Sequence, residues 1–194
     1  MKRILSSLLG LATLLLTGCV VTSVYPYYTE RDLVFEPELL GRWSENETST
    51  DEAKGYWKFD KAGEKAYGLL TVENSETNYY SAHLFRIKRQ TFLDLCKTNA
   101  ADDQLSLHYL LKVTQIEPSL QYQIMDYGWL GELVQTNSKA IRHIVVPVYD
   151  DSGDTNKARL VLTADTKELQ KFILKYSSDT NAFGKAEEMK RRKE

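Results

Sequence analysis

Beyond residue 39, hydrophobic and polar residues alternate in short segments separated by polar turns. The alternation is clearest in residues 78–88, where one set of alternate positions is Tyr79, Ser81, His83, Phe85 and Ile87. Because successive side chains of a β-strand point to opposite faces, this period of two predicts a strand. The other set ends in the basic residues Arg86 and Lys88, so we expect the face of Phe85 and Ile87 to turn inward.

The same pattern predicts a succession of strands along the chain. They cover residues 41–46, 55–61, 65–73, 78–88, 91–96, 106–116, 119–126, 141–148 and 158–164. In the strand at 106–116, the predicted inner face consists of Leu107, Tyr109 and Leu111. We expect His108 on the opposite, outer face of that strand.

Two segments have helical spacing instead. The apolar positions Trp129, Leu130, Leu133 and Val134 predict a short helix at 128–136. A second helix is predicted at 166–177, because Asp165 and Glu168 resemble an N-cap and the residue that completes a capping box. The apolar stripe of this second helix consists of Leu169, Phe172, Ile173 and Tyr176.

Sequential short strands in one domain are typical of an up-and-down β-barrel or a β-sandwich. The segment Leu40-Gly41-Arg42-Trp43 resembles the Gly-x-Trp signature of lipocalins and related calycins. This resemblance implies a mainly β fold, an antiparallel up-and-down barrel of eight strands in which Trp43 packs across the closed end. It also implies a helix near the C-terminus, a place that 166–177 fills. The β-sandwich is the alternative fold.

The start of the chain carries a targeting pattern. Lys2 and Arg3 precede an apolar run, and Leu16-Thr17-Gly18-Cys19 follows it, which resembles the lipobox of bacterial lipoproteins. The resemblance implies cleavage before Cys19 and a lipid (diacylglycerol, palmitate) on this cysteine. Because Val20 rather than aspartate follows, it also implies a periplasm-facing position on the outer membrane of the cell envelope. An ordinary secretory signal or an uncleaved anchor helix are the alternatives.

These patterns divide the chain into four parts. Residues 1–18 form the signal peptide, and 19–38 form a lipidated tether that lets the domain stand off the bilayer. Residues 39–180 form a single β-rich domain, which is long enough to bury a core. Residues 181–194 are mostly charged, and we expect a solvated, fraying tail.

Catalytic and metal-binding patterns are absent from the sequence. It has no Gly-x-Ser-x-Gly, His-Glu-x-x-His or Cys-x-x-Cys motif and no phosphate loop. The three histidines are not expected to share a zinc site, because His83 is predicted to face inward and His108 outward. We expect Asp94 at a solvent-facing or edge position, and Cys96 as a buried or half-buried thiol without a disulfide partner.

The predicted function is therefore non-enzymatic, with no cofactor or metal, and a net charge of −2 gives no reason to expect nucleic acid binding. The partners are the membrane, through the lipid, and a small apolar ligand in the barrel. The candidate residues that line the barrel mouth are Trp57, Phe59, Tyr79, His83 and Phe85. The alternatives are a structural or assembly lipoprotein that docks on other envelope proteins and an envelope hydrolase with dispersed catalytic residues.

Overall fold

The computed structural model describes residues 20–45, 55–73, 76–98, 105–147 and 158–192. The predicted signal peptide, the lipobox and the proposed lipidation at Cys19 lie outside these residues. Within the described part of the chain, no helix is both long enough and apolar enough to span a membrane.

The described residues form eleven strands and two α-helices. The strands are β1 (Thr22–Ser23), β2 (Gly41–Ser44), β3 (Tyr56–Lys61), β4 (Tyr67–Glu73), β5 (Glu76–Ile87), β6 (Gln90–Lys97), β7 (His108–Gln115), β8 (Ser119–Ile124), β9 (His143–Pro147), β10 (Ala158–Leu162) and β11 (Glu187–Arg191). The helices are α1 (Tyr127–Thr136) and α2 (Thr166–Tyr176). Each predicted strand and helix has its counterpart here, with ends that differ by at most two residues.

Eight of the described strands close into an antiparallel barrel. Strands β2 to β8 pair with their neighbours in chain order, and β11 pairs with both β8 and β2. The prediction of an up-and-down, lipocalin-like barrel with a C-terminal helix is therefore confirmed, and the β-sandwich alternative is not.

Large side chains fill the inside of the barrel. Trp43, Phe59 and Tyr67 are at most 1% exposed there, and the Trp43 indole N–H donates to the Leu39 carbonyl oxygen at 2.9 Å. The rings of Trp57 and Tyr122 stack with their centroids 5.2 Å apart. The inner side chains thus form one continuous hydrophobic cluster.

A three-stranded extension continues the barrel wall. The chain leaves β8 for α1 because the Asp126 side chain caps the helix, accepting the Trp129 N–H at 2.6 Å. Strand β1 then occupies the edge of β7, opposite His108 and Tyr109. Strand β10 follows, parallel to β1, and β9 pairs antiparallel with β10 as the last strand of the described sheet.

A second core lies outside the barrel. Phe85, Phe92 and Leu110 point outward from β5, β6 and β7 and pack in one cluster with the apolar sides of both helices. In β5 the inner positions are Tyr80, Ala82 and Leu84. The prediction that Phe85 turns into the barrel was therefore wrong, because both faces of β5 are covered by apolar groups and alternation separates two faces without identifying the lumen. For β7 the inner position of Leu111 is confirmed.

The first described segment is packed rather than extended. Val20 is 4% exposed, Tyr27 is fully buried, and the Thr166 hydroxyl donates to the Pro26 carbonyl oxygen at 2.8 Å. Residues 20–38, here called the N-terminal segment, therefore do not form the predicted stand-off tether. The sequence did not predict this packing, because the contacts of the N-terminal segment are with residues far along the chain. One of these is Gln170, whose side-chain amide donates to the Tyr27 carbonyl oxygen.

The predicted fraying tail contains a barrel strand. Strand β11 closes the barrel, with Met189 6% exposed among the inner side chains. The sequence did not predict this strand because Met189 is its single apolar residue. The strand forms nevertheless, because β2 and β8 both supply backbone hydrogen bonds to it.

Candidate functional site

The five predicted lining residues do not form one site. Trp57 and Phe59 lie inside the barrel, whereas Phe85 lies in the second core. Tyr79 is 52% exposed on the outer surface. His83 is half-buried on the outer face, where its ring stacks on Tyr28 with centroids 4.6 Å apart. The prediction that these residues line a common barrel mouth was wrong, because alternation separates the two faces of β5 without showing which of them faces the lumen.

A polar cluster occupies the outer face of β5, β6 and β7, beneath the N-terminal segment. Asp94 is fully buried, accepts the Tyr27 backbone N–H at 2.9 Å and has its second oxygen 2.7 Å from His108 Nδ1. The Asp94 side chain does point to the face of β6 opposite to that of Leu93 and Leu95, as alternation predicts. The expectation of a solvent-facing carboxylate was wrong because the distant N-terminal segment covers that face.

The strand register brings further titratable groups to this cluster. His83 lies opposite Asp94, and Cys96 lies opposite His108. His83 therefore faces outward rather than inward, whereas the outward position of His108 is confirmed. Burial lowers the pKa of His83. In the part of the chain that the structure describes, no group of three or more such side chains is placed to hold a metal ion.

The chemistry of this polar cluster favours a structural role, in which it holds the N-terminal segment on the barrel, over a catalytic one. Cys96 is a half-buried free thiol, as predicted. Burial raises the pKa of this thiol, and the negative charge of Asp94 raises it further. A raised thiol pKa disfavours the thiolate, which is the nucleophilic form. Both Asp94 oxygens are occupied by Tyr27 and His108. The arrangement therefore supports a role in holding the N-terminal segment on the barrel.

A second candidate site is the side of β9 that faces away from β10, here called the open edge. Ile144, Val145 and Val146 are 49%, 58% and 41% exposed, and within the described residues β9 pairs with β10 alone. Consecutive exposed β-branched residues leave both faces of the strand apolar. Monomeric proteins usually protect such an edge, because it offers a template for another strand.

Hydrogen bonds show which backbone groups the open edge presents. The Thr163 N–H donates to the Arg142 carbonyl oxygen at 2.9 Å, so this pair is hydrogen-bonded. Opposed residues of antiparallel strands alternate between bonded and non-bonded pairs. Val145 and Leu160 therefore form a non-bonded pair, and the Leu160 N–H instead donates to the Tyr127 hydroxyl at 2.9 Å. The N–H and C=O of Val145 point away from β10, and those of His143 do the same.

The charges next to the open edge are paired away from it. The Arg142 guanidinium contacts Glu168 at 2.7 Å and Asp165 at 3.1 Å, so it is held toward the start of α2. Within β9 itself, His143 is the one titratable side chain, and Pro147 ends the strand. The strand thus contains no Asp, Glu, Lys or Arg.

The sequence predicted a strand at 141–148 but not its position at the edge of the sheet. Three consecutive β-branched residues without alternation are typical of a strand buried on both faces. Such a run in an edge strand is the signal that would have identified the site. No protein-family model, no curated protein and no solved structure matches this chain.

Proposed function

We propose that this protein is a lipid-anchored lipoprotein of the bacterial envelope whose barrel domain docks on a protein strand through the open edge of β9. The observation that carries the proposal is the combination of outward backbone groups at Val145 with exposed apolar side chains on both sides of it. This corresponds to the docking alternative that the sequence left open rather than to a ligand carrier.

The inside of the barrel argues for docking over ligand transport. A barrel of eight strands is wide enough either for its own side chains or for one small ligand. Here Trp43, Phe59, Tyr67 and Leu84 are each at most 1% exposed and belong to one cluster across the interior. The apolar surface that remains accessible to a partner includes the open edge.

The geometry of the edge defines the partner chemistry. In strand addition, main-chain hydrogen bonds supply affinity and side-chain contacts supply specificity. A partner strand must place an N–H and a C=O opposite Val145, and its side chains must be apolar to cover Ile144 and Val146. A charged partner segment would lose solvation without gaining an opposite charge on β9.

The lipid anchor rests on the lipobox resemblance, with Cys19 as the modified residue and the outer membrane as its site. The start of the described chain supports this proposal only through Val20, the residue that follows Cys19 in the sequence, which forms a β-bridge with Asp126.

The test places a photo-crosslinking amino acid at position 144 in the full-length chain, in the envelope of the bacterium that produces it. The matched variants are Val145→Pro and Val145→Thr. Proline removes the outward N–H without removing a bond to β10, because the pair Val145–Leu160 is non-bonded. We expect one defined protein adduct that Val145→Pro abolishes and Val145→Thr retains.

A control crosslinker at Tyr79, which is exposed elsewhere on the barrel, should not form this adduct. Equal adducts with and without Val145→Pro would overturn strand addition. Adducts with lipid instead of protein would assign the edge to the membrane surface and would also overturn the proposal.

A further inference from the structure

We propose that the strand that docks on the open edge is β9 of a second copy of this chain, in an antiparallel pair centred on Val145. This inference rests on the proposed docking function and adds the identity of the partner. An interface around a two-fold axis needs a surface that is complementary to itself. The open edge of β9 meets this condition in its hydrogen-bonding groups, its side chains and its charges.

Backbone groups match when Val145 lies opposite Val145 of the other copy. The outward N–H of each Val145 then donates to the carbonyl oxygen of the other, which makes two bonds. Each His143 N–H faces the carbonyl oxygen of Pro147 in the other copy, which makes two more. Proline lacks an N–H, so the ladder ends at this residue instead of extending beyond it.

Side chains match in the same register. Ile144 lies opposite Val146 of the other copy on one face, and the reciprocal pair follows from the two-fold axis. Cross-strand pairs of β-branched residues stabilise a sheet. Moving the register by two residues in one direction would set Val146 against Arg142, which is already engaged by Glu168 and Asp165. Moving it the other way would set Val145 against Pro147, and among the described residues two of the four bonds would then form.

Charge does not oppose the pairing. In an antiparallel pair around a two-fold axis, a charged residue on the axis faces the same residue of the other copy, and like charges directly opposite each other destabilise a sheet. Natural edge strands use such charges to prevent association. From Ile144 to Pro147 the edge carries no charged residue, and its neighbour Arg142 is neutralised within its own copy.

The lipid anchor explains how so small an interface would suffice. Five residues per strand bury much less than the roughly 1,200–2,000 Å² of a stable complex, so the pair should be weak in free solution. Two copies held on one membrane have a raised effective concentration, which converts a weak contact into a populated dimer.

Disulfide trapping tests the register directly. The full-length protein carries Cys96→Ser, so that the half-buried thiol does not react, together with Val145→Cys, Ile144→Cys or Val146→Cys. Membranes of the producing bacterium are oxidised and separated without reductant. We expect co-expressed Ile144→Cys and Val146→Cys to give a covalent dimer at least about fivefold more abundant than either variant alone, because these positions form a non-bonded pair with Cα atoms about 4.5 Å apart, within disulfide range.

Val145→Cys should give less of this dimer, because the Cβ atoms of a bonded pair lie farther apart than those of a non-bonded pair. An equal amount of dimer from Ile144→Cys alone, or no dimer from the co-expressed pair, would overturn the inference. If the co-expressed pair gives no dimer while the photo-adduct at position 144 contains a different protein, the docking function stands and the second copy is refuted. If both experiments are negative, both proposals fail.

Discussion

The guanidinium carbon of Arg191 lies 4.4 Å from the centroid of the Trp43 ring. The same side chain donates to the carbonyl oxygens of Leu40 and Glu38 and contacts Glu117. One residue near the end of the chain thus covers the buried tryptophan of β2 and fastens β11 to the segment that precedes β2. Arg191 thus adds side-chain contacts to the backbone pairing of β11 with β2, at the junction that closes the barrel.

Replacing Trp43 with alanine should destabilise the domain by about 3–5 kcal/mol, because a fully buried aromatic ring leaves a cavity. It also removes the surface on which Arg191 rests. Urea unfolding followed by circular dichroism measures the loss. Tyr79→Ala, at an exposed position on β5, is the control and should change the free energy of unfolding by less than about 0.5 kcal/mol. An unchanged midpoint for Trp43→Ala would contradict the packing described for this residue.

Replacing Asp94 with alanine should cost about 3 kcal/mol of stability, because the Tyr27 N–H and the His108 ring lose a buried acceptor. The N-terminal segment should open first, so limited proteolysis between residues 20 and 38 should accelerate. Asp60→Ala is the matched control, since its contact with Lys58 is exposed and such surface pairs contribute at most about 1 kcal/mol. Equal effects of the two substitutions would refute the fastening role of Asp94.

Stability should decline as the pH falls below about 6.5, the ordinary pKa of histidine. Burial lowers the pKa of His83 in the folded state, so the unfolded chain binds a proton that the folded chain excludes. The stabilisation is therefore complete above the unfolded pKa and is lost on acidification. His83→Gln should flatten this acid dependence of the unfolding free energy, and Tyr28→Ala, which removes the stacked ring, should weaken it. An acid dependence identical in wild type and His83→Gln would show that the effect arises elsewhere.

Replacing Cys19 with alanine should prevent lipid attachment and leave the leader uncleaved by the lipoprotein peptidase. Intact-mass measurement and membrane fractionation report both effects. Cys96→Ala, which changes the other cysteine of the chain, should leave processing and lipid intact. A processed, membrane-bound Cys19→Ala protein would mean that the leader acts as an ordinary signal and that something else binds the membrane.

Local patterns predicted the strands and helices well, because alternation and helical spacing depend on neighbouring residues. They did not identify which side of a strand faces the lumen. In β5, Leu84 and Phe85 are equally apolar, and only the tertiary position of the helices determines that Phe85 lies outside the barrel. The burial of Asp94 was not predicted for a related reason, since the residue that contacts it, Tyr27, lies 67 positions earlier in the chain.

The strand β11 and the open edge of β9 illustrate two opposite failures. Strand β11 closes the barrel, but Met189 is its single apolar residue, so its mostly charged composition did not predict a strand. Ile144, Val145 and Val146 carried a strong apolar signal that is normal for a buried strand. The candidate site therefore became recognisable only when the sheet order placed this strand at an edge.

The burial of Val20 would restrict the motion of a molecule that is anchored through Cys19. If Cys19 carries the lipid, the attachment point is one residue before Val20, which is buried and forms a β-bridge with Asp126, so rotation of the barrel about its attachment is limited. Thr22, Val161 and Ile144 lie side by side in neighbouring strands. Two interstrand spacings, about 10 Å, therefore separate β1 from β9. Neighbouring molecules would carry their β9 strands at one common height, so that lateral diffusion alone would bring the strands into contact.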